Sequence, residues 1–204
     1  MSTMAAAEAP DVNARIAAQV RALRTRRGYS LDGLAARSGV SRSAISMIER
    51  CATSPTAVVL DKLATGLGVA LASLFDLPAG FETPSPIARR DEQPSWRDPQ
   101  SGYLRRNVSP PAWPSPIRIV EVEFPSGATV SYETAAREVE IHQQVWLRAG
   151  ELEVSVGEST HRLEEGDCLA MRLDQPTSFW NPGTRTARYV VVLSTSPAPP
   201  RRSS

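Results

Sequence analysis

One stretch, Ser30 to Glu49 (SLDGLAARSGVSRSAISMIE), limits what this chain can fold into more than any other. It predicts two short helices joined by a tight turn. Ser30 is placed to cap a first helix whose apolar face is Leu31, Leu34 and Ala35. Gly39 ends that helix where a left-handed backbone is wanted, a conformation glycine takes without a Cβ penalty. Val40 plugs the turn, Ser41 caps a second helix, and Ile45 and Ile48 form its buried stripe. Its other face carries Arg42, Ser43, Ser46, Met47 and Arg50. Short hydrogen-bonding side chains with an arginine near a helix N-terminus suit a major groove. The same twenty residues also fit an ordinary helical hairpin inside a larger bundle.

The flanks weigh against the plain hairpin. They supply Arg24, Gly28, the Gly39-Val40-Ser41 turn, the run Ile45-Ser46-Met47-Ile48-Glu49-Arg50, Ser54-Pro55-Thr56 and Leu67-Gly68-Val69. With these features, residues 11 to 77 resemble the phage-repressor-like (XRE) helix-turn-helix family. The resemblance implies an all-α, five-helix DNA-binding domain in which Arg24 pairs with Glu49 to orient the recognition helix. It places base contacts on Leu31, Ser41, Arg42, Ser43, Ser46 and Met47, with Arg42 the guanine reader. Arg50 and Thr53 complete the DNA-facing set, Thr53 and Ser54 lying where the next helix starts and a phosphate can sit. Two departures stand out: Leu31 offers only apolar contact where a polar residue is usual, and Cys51 replaces the glycine that usually ends this helix.

Composition narrows the rest. In 204 residues the net charge is +1, but it is unevenly spread. Up to Asp76 there are nine Lys/Arg against six Asp/Glu; from Ser115 onward there are nine against twelve. A mildly basic front and an acidic rear fit one module that meets phosphate and another that does not. Cys51 and Cys168 form no framework, which fits a reducing compartment and two packing residues. No apolar run reaches the length of a membrane span and no signal-peptide pattern opens the chain, so a cytoplasmic protein is expected.

Residues 1–10 read as a flexible arm. Ile16, Val20 and Leu23 give a first helix its inward stripe, leaving Arg15, Arg21, Arg26 and Arg27 off it and mostly solvated. Val59, Leu63, Ala64 and Leu67 turn a fourth helix inward, and Leu71, Leu74 and Phe75 close the small core. Residues 78–86 are Pro-rich and aperiodic, the mark of a partly stiff linker that holds two domains at a set separation. Strand-like pieces around Ile87–Glu92 and Tyr103–Val108 begin the second domain, which spans 87–196; residues 197–204 read as a disordered tail.

From Ile117 the chain alternates apolar and polar residues in short segments separated by Ser126-Gly127, Ala149-Gly150 and similar turns. Six to eight strands without a helix signal argue for a small all-β barrel or jelly roll. The Leu147–Val154 hairpin, the Leu163–Asp167 turn and the Trp180-Asn181-Pro182 close are similar to those of cupins, which implies a double-stranded β-barrel. Cupin enzymes hold a metal with two histidines and a glutamate from one motif and a histidine from another. Carried over, those positions fall on Arg137, Val139, Gln143 and Thr177, or, with a slip of one residue, on Ala136 and Glu138 in place of the first two. None is an imidazole, and an arginine repels a cation, so neither metal nor other cofactor is expected. His142 and His161 read as outward-facing and half-exposed residues respectively.

Without a metal the barrel still has an interior. Alternation from Gln143 and Thr177 sends Val145 and Phe179 inward, with Met171 a further candidate. Arg137, Val139, Gln143, Val145, Met171, Thr177 and Phe179 are therefore the expected lining of a small-molecule site, and an arginine favours an anionic ligand. The resulting expectation is a two-domain, non-enzymatic, homodimeric regulator. It binds a palindromic operator in duplex DNA, its two recognition helices about 34–36 Å apart, and its barrel senses an effector. Two alternatives stay open: a metal-dependent cupin enzyme with an accessory DNA-binding domain, and a barrel that only dimerises.

Overall fold

The computed structural model describes residues 11–76, 85–111, 113–133 and 139–197. The front is helical: α1 (Val12–Arg26), α2 (Leu31–Ser38), α3 (Arg42–Glu49) and α4 (Ala57–Gly66). Each helix starts on a side-chain cap, in order Asp11, Ser30, Ser41 and Thr56, accepting from an amide that the first turn leaves orphaned. Gly39 ends α2 at φ +68°, as its position predicts. Gly66 serves a different need. A Cβ there would lie 2.8 Å from Ser38 Cβ, so its absence lets α4 cross close to the end of α2.

The expected fifth α-helix is instead a five-residue 3₁₀ turn, Leu71–Phe75. It stops shortly before Pro78, and a residue ahead of proline is biased away from helix. Its Ser73 carbonyl accepts from Gln19 Nε2 at 3.0 Å, tying it to α1. A second correction concerns Arg15. It is 6% exposed, not solvated, because the barrel and the 3₁₀ turn cover that side of α1.

The rear is a sandwich of two antiparallel sheets. Its strands are β1 (Ser95–Arg97), β2 (Leu104–Asn107), β3 (Ile117–Phe124), β4 (Thr129–Tyr132) and β5 (Val139–Ala149), followed by β6 (Leu152–Val156), β7 (Ser159–Leu163), β8 (Cys168–Arg172), β9 (Thr177–Trp180) and β10 (Ala187–Pro197). One sheet runs β1-β2-β3-β10-β5-β8 and the other β4-β9-β6-β7, a jelly-roll order in which sequence neighbours often sit in opposite sheets. Alternation produces it directly: on β3, Val120, Val122 and Phe124 are buried while Ile119, Glu121 and Glu123 face out. The segment Ile87–Glu92 is not a strand; Glu92 N donates to Arg89 O in a turn, and the first strand begins at Ser95. Asn181, fully buried, donates to the carbonyls of Phe124 and Arg185 and accepts from Gly183 N, which closes the barrel end.

The helices and the barrel share one hydrophobic core. Residues 77–84, which include most of the expected linker, lie outside the described residues. The units they join are in contact. Trp96 on β1, 2% exposed, meets Phe75 edge-on with ring centroids 5.9 Å apart, and Tyr103 from the other side at 5.8 Å. Asp98, in the turn after β1, is 2% exposed. Its Oδ1 accepts from Ala57 N at 2.9 Å and its Oδ2 from Ser101 N and Oγ. A carboxylate from the barrel thus satisfies an orphan amide at the start of α4. Lys62 pairs with Glu133 at 3.0 Å along the rim of the same interface. Among the described residues no helix is long and apolar enough to cross a membrane.

Candidate DNA-reading face and barrel cavity

Helix α3 is held from behind and bare in front. Ile45 and Ile48 are buried, and Glu49 accepts a two-pronged ion pair from Arg24: Nε to Oε1 at 2.6 Å and Nη2 to Oε2 at 2.8 Å. Arg24 Nη1 also donates to Tyr29 O at 2.9 Å, so α1, the loop before α2 and α3 are fixed together. The glutamate holds the Arg24 guanidinium above its ordinary pKa, chiefly through the hydrogen bond. Such a pair sets orientation more than it adds net stability.

On the free face, Ser41, Arg42, Ser43 and Met47 are exposed and Ser46 is half-buried. Arg42 makes one exposed ion pair, with Asp32 at 3.4 Å, easily exchanged for another partner in solvent. Leu31 is half-buried against the core edge, which leaves it part of one apolar face. Arg50 and Thr53 are exposed beyond the helix end, where Arg50 Nε donates back to Ser46 O. Cys51 takes φ +55°, so the cysteine keeps the left-handed turn that a glycine would make without strain.

The barrel encloses a cavity of about 70 Å3. Gln143 and Thr177, the positions the cupin resemblance implies, line it, and so does Phe179, which alternation from Thr177 sends inward. Val145 does not; it is fully buried in the packed core beyond the cavity wall. Met171 does not either; it is half-buried on an open cleft with Val156 and His161. Arg137 and the side chain of Val139 lie outside the described residues. His142 points outward beside Glu140, 3.3 Å away, and His161 is exposed, not half-exposed.

Several lining residues have no counterpart in the sequence reading. Tyr103 and Arg105 enter from the β1–β2 hairpin, Tyr132 from β4 and Tyr189 from β10. Asp61, Ala70 and Leu71 come from the helical domain. Tyr103 and Tyr132 hydroxyls lie 3.4 Å apart, and Phe179 stacks on Tyr189 at 6.1 Å. Burial pushes all three phenols above their ordinary pKa, Tyr132 and Tyr189 furthest, so they stay neutral hydrogen-bonding groups. Period-two spacing on β2 was the available signal, since Tyr103, Arg105 and Asn107 fall on one face. An arginine at such a position reads as solvated by default.

This set does not fit a divalent cation. Besides the Arg105 guanidinium the cavity offers two amides (Gln143, Gln175), the Thr177 hydroxyl, three phenols and the carboxylates of Asp61 and Glu133, and no group of three or more His, Cys, Asp or Glu converges among the described residues.

Comparison with known proteins agrees with this geometry. A helix-turn-helix family model matches residues 20–74. The chain is 28% identical over 171 residues to the HTH-type transcriptional regulator SutR of Escherichia coli (strain K12), covering 83% of this chain and 89% of that one. It is 47% identical over 58 residues to the HTH-type transcriptional regulator SlrR of Bacillus subtilis (strain 168), covering 28% of this chain and 38% of the relative. The crystal structure of an HTH_3 family transcriptional regulator from Vibrio cholerae superposes with a TM-score of 0.71 at 25% identity, covering 92% of this chain and 98% of that one.

Proposed function

We propose that this chain, a helix-turn-helix transcriptional regulator with a C-terminal cupin barrel, reads a palindromic operator as a homodimer and adjusts that reading to a small effector in its barrel. The observation that carries the DNA-reading part is helix α3. Its inner face is locked by Ile45, Ile48 and the Arg24–Glu49 pair, while Ser41, Arg42, Ser43, Ser46 and Met47 form an outer face accessible to a groove. Arg42 is the guanine reader, Leu31 an apolar contact, and Arg50 and Thr53 meet the backbone. One recognition helix reads a half-site, so two copies are needed.

The outer face of the larger sheet supports the dimer. Registers place Ile117 and Ile119 of β3 beside Ser194 and Val192 of β10, and Val190 beside Trp146 of β5. Ile117, Ile119 and Trp146 are exposed, a contiguous apolar surface of the kind that marks an interface. The front arm (1–10), the DNA-binding domain (11–77), the linker (78–86), the barrel (87–196) and the tail (197–204) are the working division of this regulator. Regulation and not catalysis is the reading because the matched relatives are regulators and the cavity gathers binding groups.

Binding-site selection with the full chain tests this. The wild type is expected to enrich an inverted repeat. Arg42→Ala is expected to relax preference at one base of each half-site, by about 1–3 kcal/mol of discrimination, and to remain dimeric. Ile119→Glu is expected to sediment as a monomer and to lose operator affinity. Unchanged preference in Arg42→Ala refutes the groove assignment; an unchanged dimer in Ile119→Glu refutes the interface.

A further inference from the structure

We infer that the barrel cavity takes the carboxylate of a small organic acid on Arg105, beneath a roof that the DNA-binding domain supplies. This rests on the effector reading above and adds the ligand's charge, its size and its route to DNA.

The charge comes from Arg105. It is 6% exposed, lines the cavity, donates from Nε to Asn107 Oδ1 at 3.2 Å and lies 5.2 Å over the Phe75 ring. Its Nη2 is buried and has no hydrogen-bond partner among the described residues. A buried charged donor left unpaired is costly, and an anion that accepts from it removes that cost. A planar carboxylate matches the planar guanidinium fork better than a compact point acceptor does. The size comes from the space. A single water requires about 10–15 Å3 of such volume, so a cavity of about 70 Å3 holds roughly five to seven groups of that size. An acid with a short aliphatic body fits, that body resting on Val122, Ile141 and Leu193.

The route comes from the walls. Asp61 stands on α4, and Ala70 and Leu71 follow it, so one side of the cavity belongs to the helical domain. Asp61 and Glu133, the latter paired with Lys62, repel a second carboxylate, so the acid's charge turns to Arg105 and its aliphatic body to Ala70 and Leu71. Arg105 stands on the hairpin whose other end, Asp98, holds the first amide of α4. A ligand can shift a conformational equilibrium only by binding its states unequally. An acid that touches both the barrel and the roof binds the docked arrangement more tightly than any arrangement in which the roof has moved away. It therefore fixes where the two recognition helices of a dimer stand relative to their barrels.

The test is calorimetric titration of the full chain with propanoate, alanine and propanamide, followed by hydrogen exchange with the acid present. At least one of the two acids is expected to bind, with propanamide about tenfold weaker or worse. Arg105→Gln is expected to lose at least that factor for the acid. Leu71→Trp, which fills the cavity from the helical side and leaves the arginine intact, is expected to abolish binding. Protection is expected in α4 (57–66) as well as in β2. Equal binding of the amide, retained in Arg105→Gln, overturns the carboxylate assignment while the effector reading stands. Protection confined to the barrel, with Leu71→Trp still binding, overturns the shared roof. If acids and amide alike fail to bind, this inference falls, while the effector reading is decided by its own test on operator binding.

Discussion

Asp98→Ala is the sharpest probe of how the two units are joined. The carboxylate receives three donors: Ala57 N at 2.9 Å, Ser101 N at 2.8 Å and Ser101 Oγ. Ala57 is 1% exposed, so its amide stays dry when the acceptor goes. A buried unsatisfied donor costs about 1–3 kcal/mol. Losing a helix cap costs about 1 kcal/mol in a typical case; both figures describe the same amide and are not summed. The Ser101 donors are half-exposed and recover water, so they add about 1 kcal/mol at most. Relief of the buried charge offsets part of this, and the net expectation is a loss of about 2–3 kcal/mol. Urea unfolding of the full chain reads it, in one transition because the helices and barrel share a core. Hydrogen exchange at Ala57 is expected to speed up well before exchange in β5 or β10. A loss below about 1 kcal/mol, or unaltered exchange at Ala57, refutes the claim that the barrel caps α4.

Other expectations follow from the same structure. Arg24→Met or Glu49→Gln alone is expected to cost about 3–5 kcal/mol, whereas replacing both by apolar residues brings most of that back; a double-mutant cycle by thermal unfolding checks this, and additive losses refute it. Cys51→Gly relieves a left-handed residue worth about 1–2 kcal/mol against a glycine entropy cost of about 0.5–1, so a small gain in urea midpoint is expected and a loss counts against it. Burial raises the pKa of Asp76 against the pull of Arg118 and Arg15. A raised carboxyl favours the protonated fold, so the stability it contributes is full below its unfolded pKa, about 3.9, and is lost as pH rises through the folded value. Asp76→Asn is accordingly expected to gain on the wild type between about pH 4 and 7; a difference that shrinks with pH contradicts this.

The helical front was legible because its signals are local. Ser30, Gly39, Ser41 and the Ile45/Ile48 stripe each act within one or two turns, and the structure uses each as its chemistry dictates. The resemblance to cupins pointed to Gln143 and Thr177 at the cavity, and alternation from Thr177 added Phe179. What the sequence hid depends on distance along the chain. Arg15 looks solvated until the barrel covers it, and Arg105 looks like a surface residue until Phe75, some thirty positions earlier, comes to lie under its guanidinium. Asp98 reads as a turn residue, and so it is, but its carboxylate also serves an amide 41 residues back. Proline content in the linker suggested a fixed spacing but gave no sign of the contact that Trp96 makes with Phe75.

That tryptophan bears on how freely such a domain can be transplanted. A graft cut at residue 77 would leave behind Trp96 and Asp98, and with them a lid over Phe75 and the acceptor for Ala57 N. A fragment extended through Asn107 carries both along. Heredity and engineers alike would have to move the first β-hairpin together with the helices, so the natural seam for recombination lies inside the barrel's sequence, not in the proline-rich stretch ahead of it.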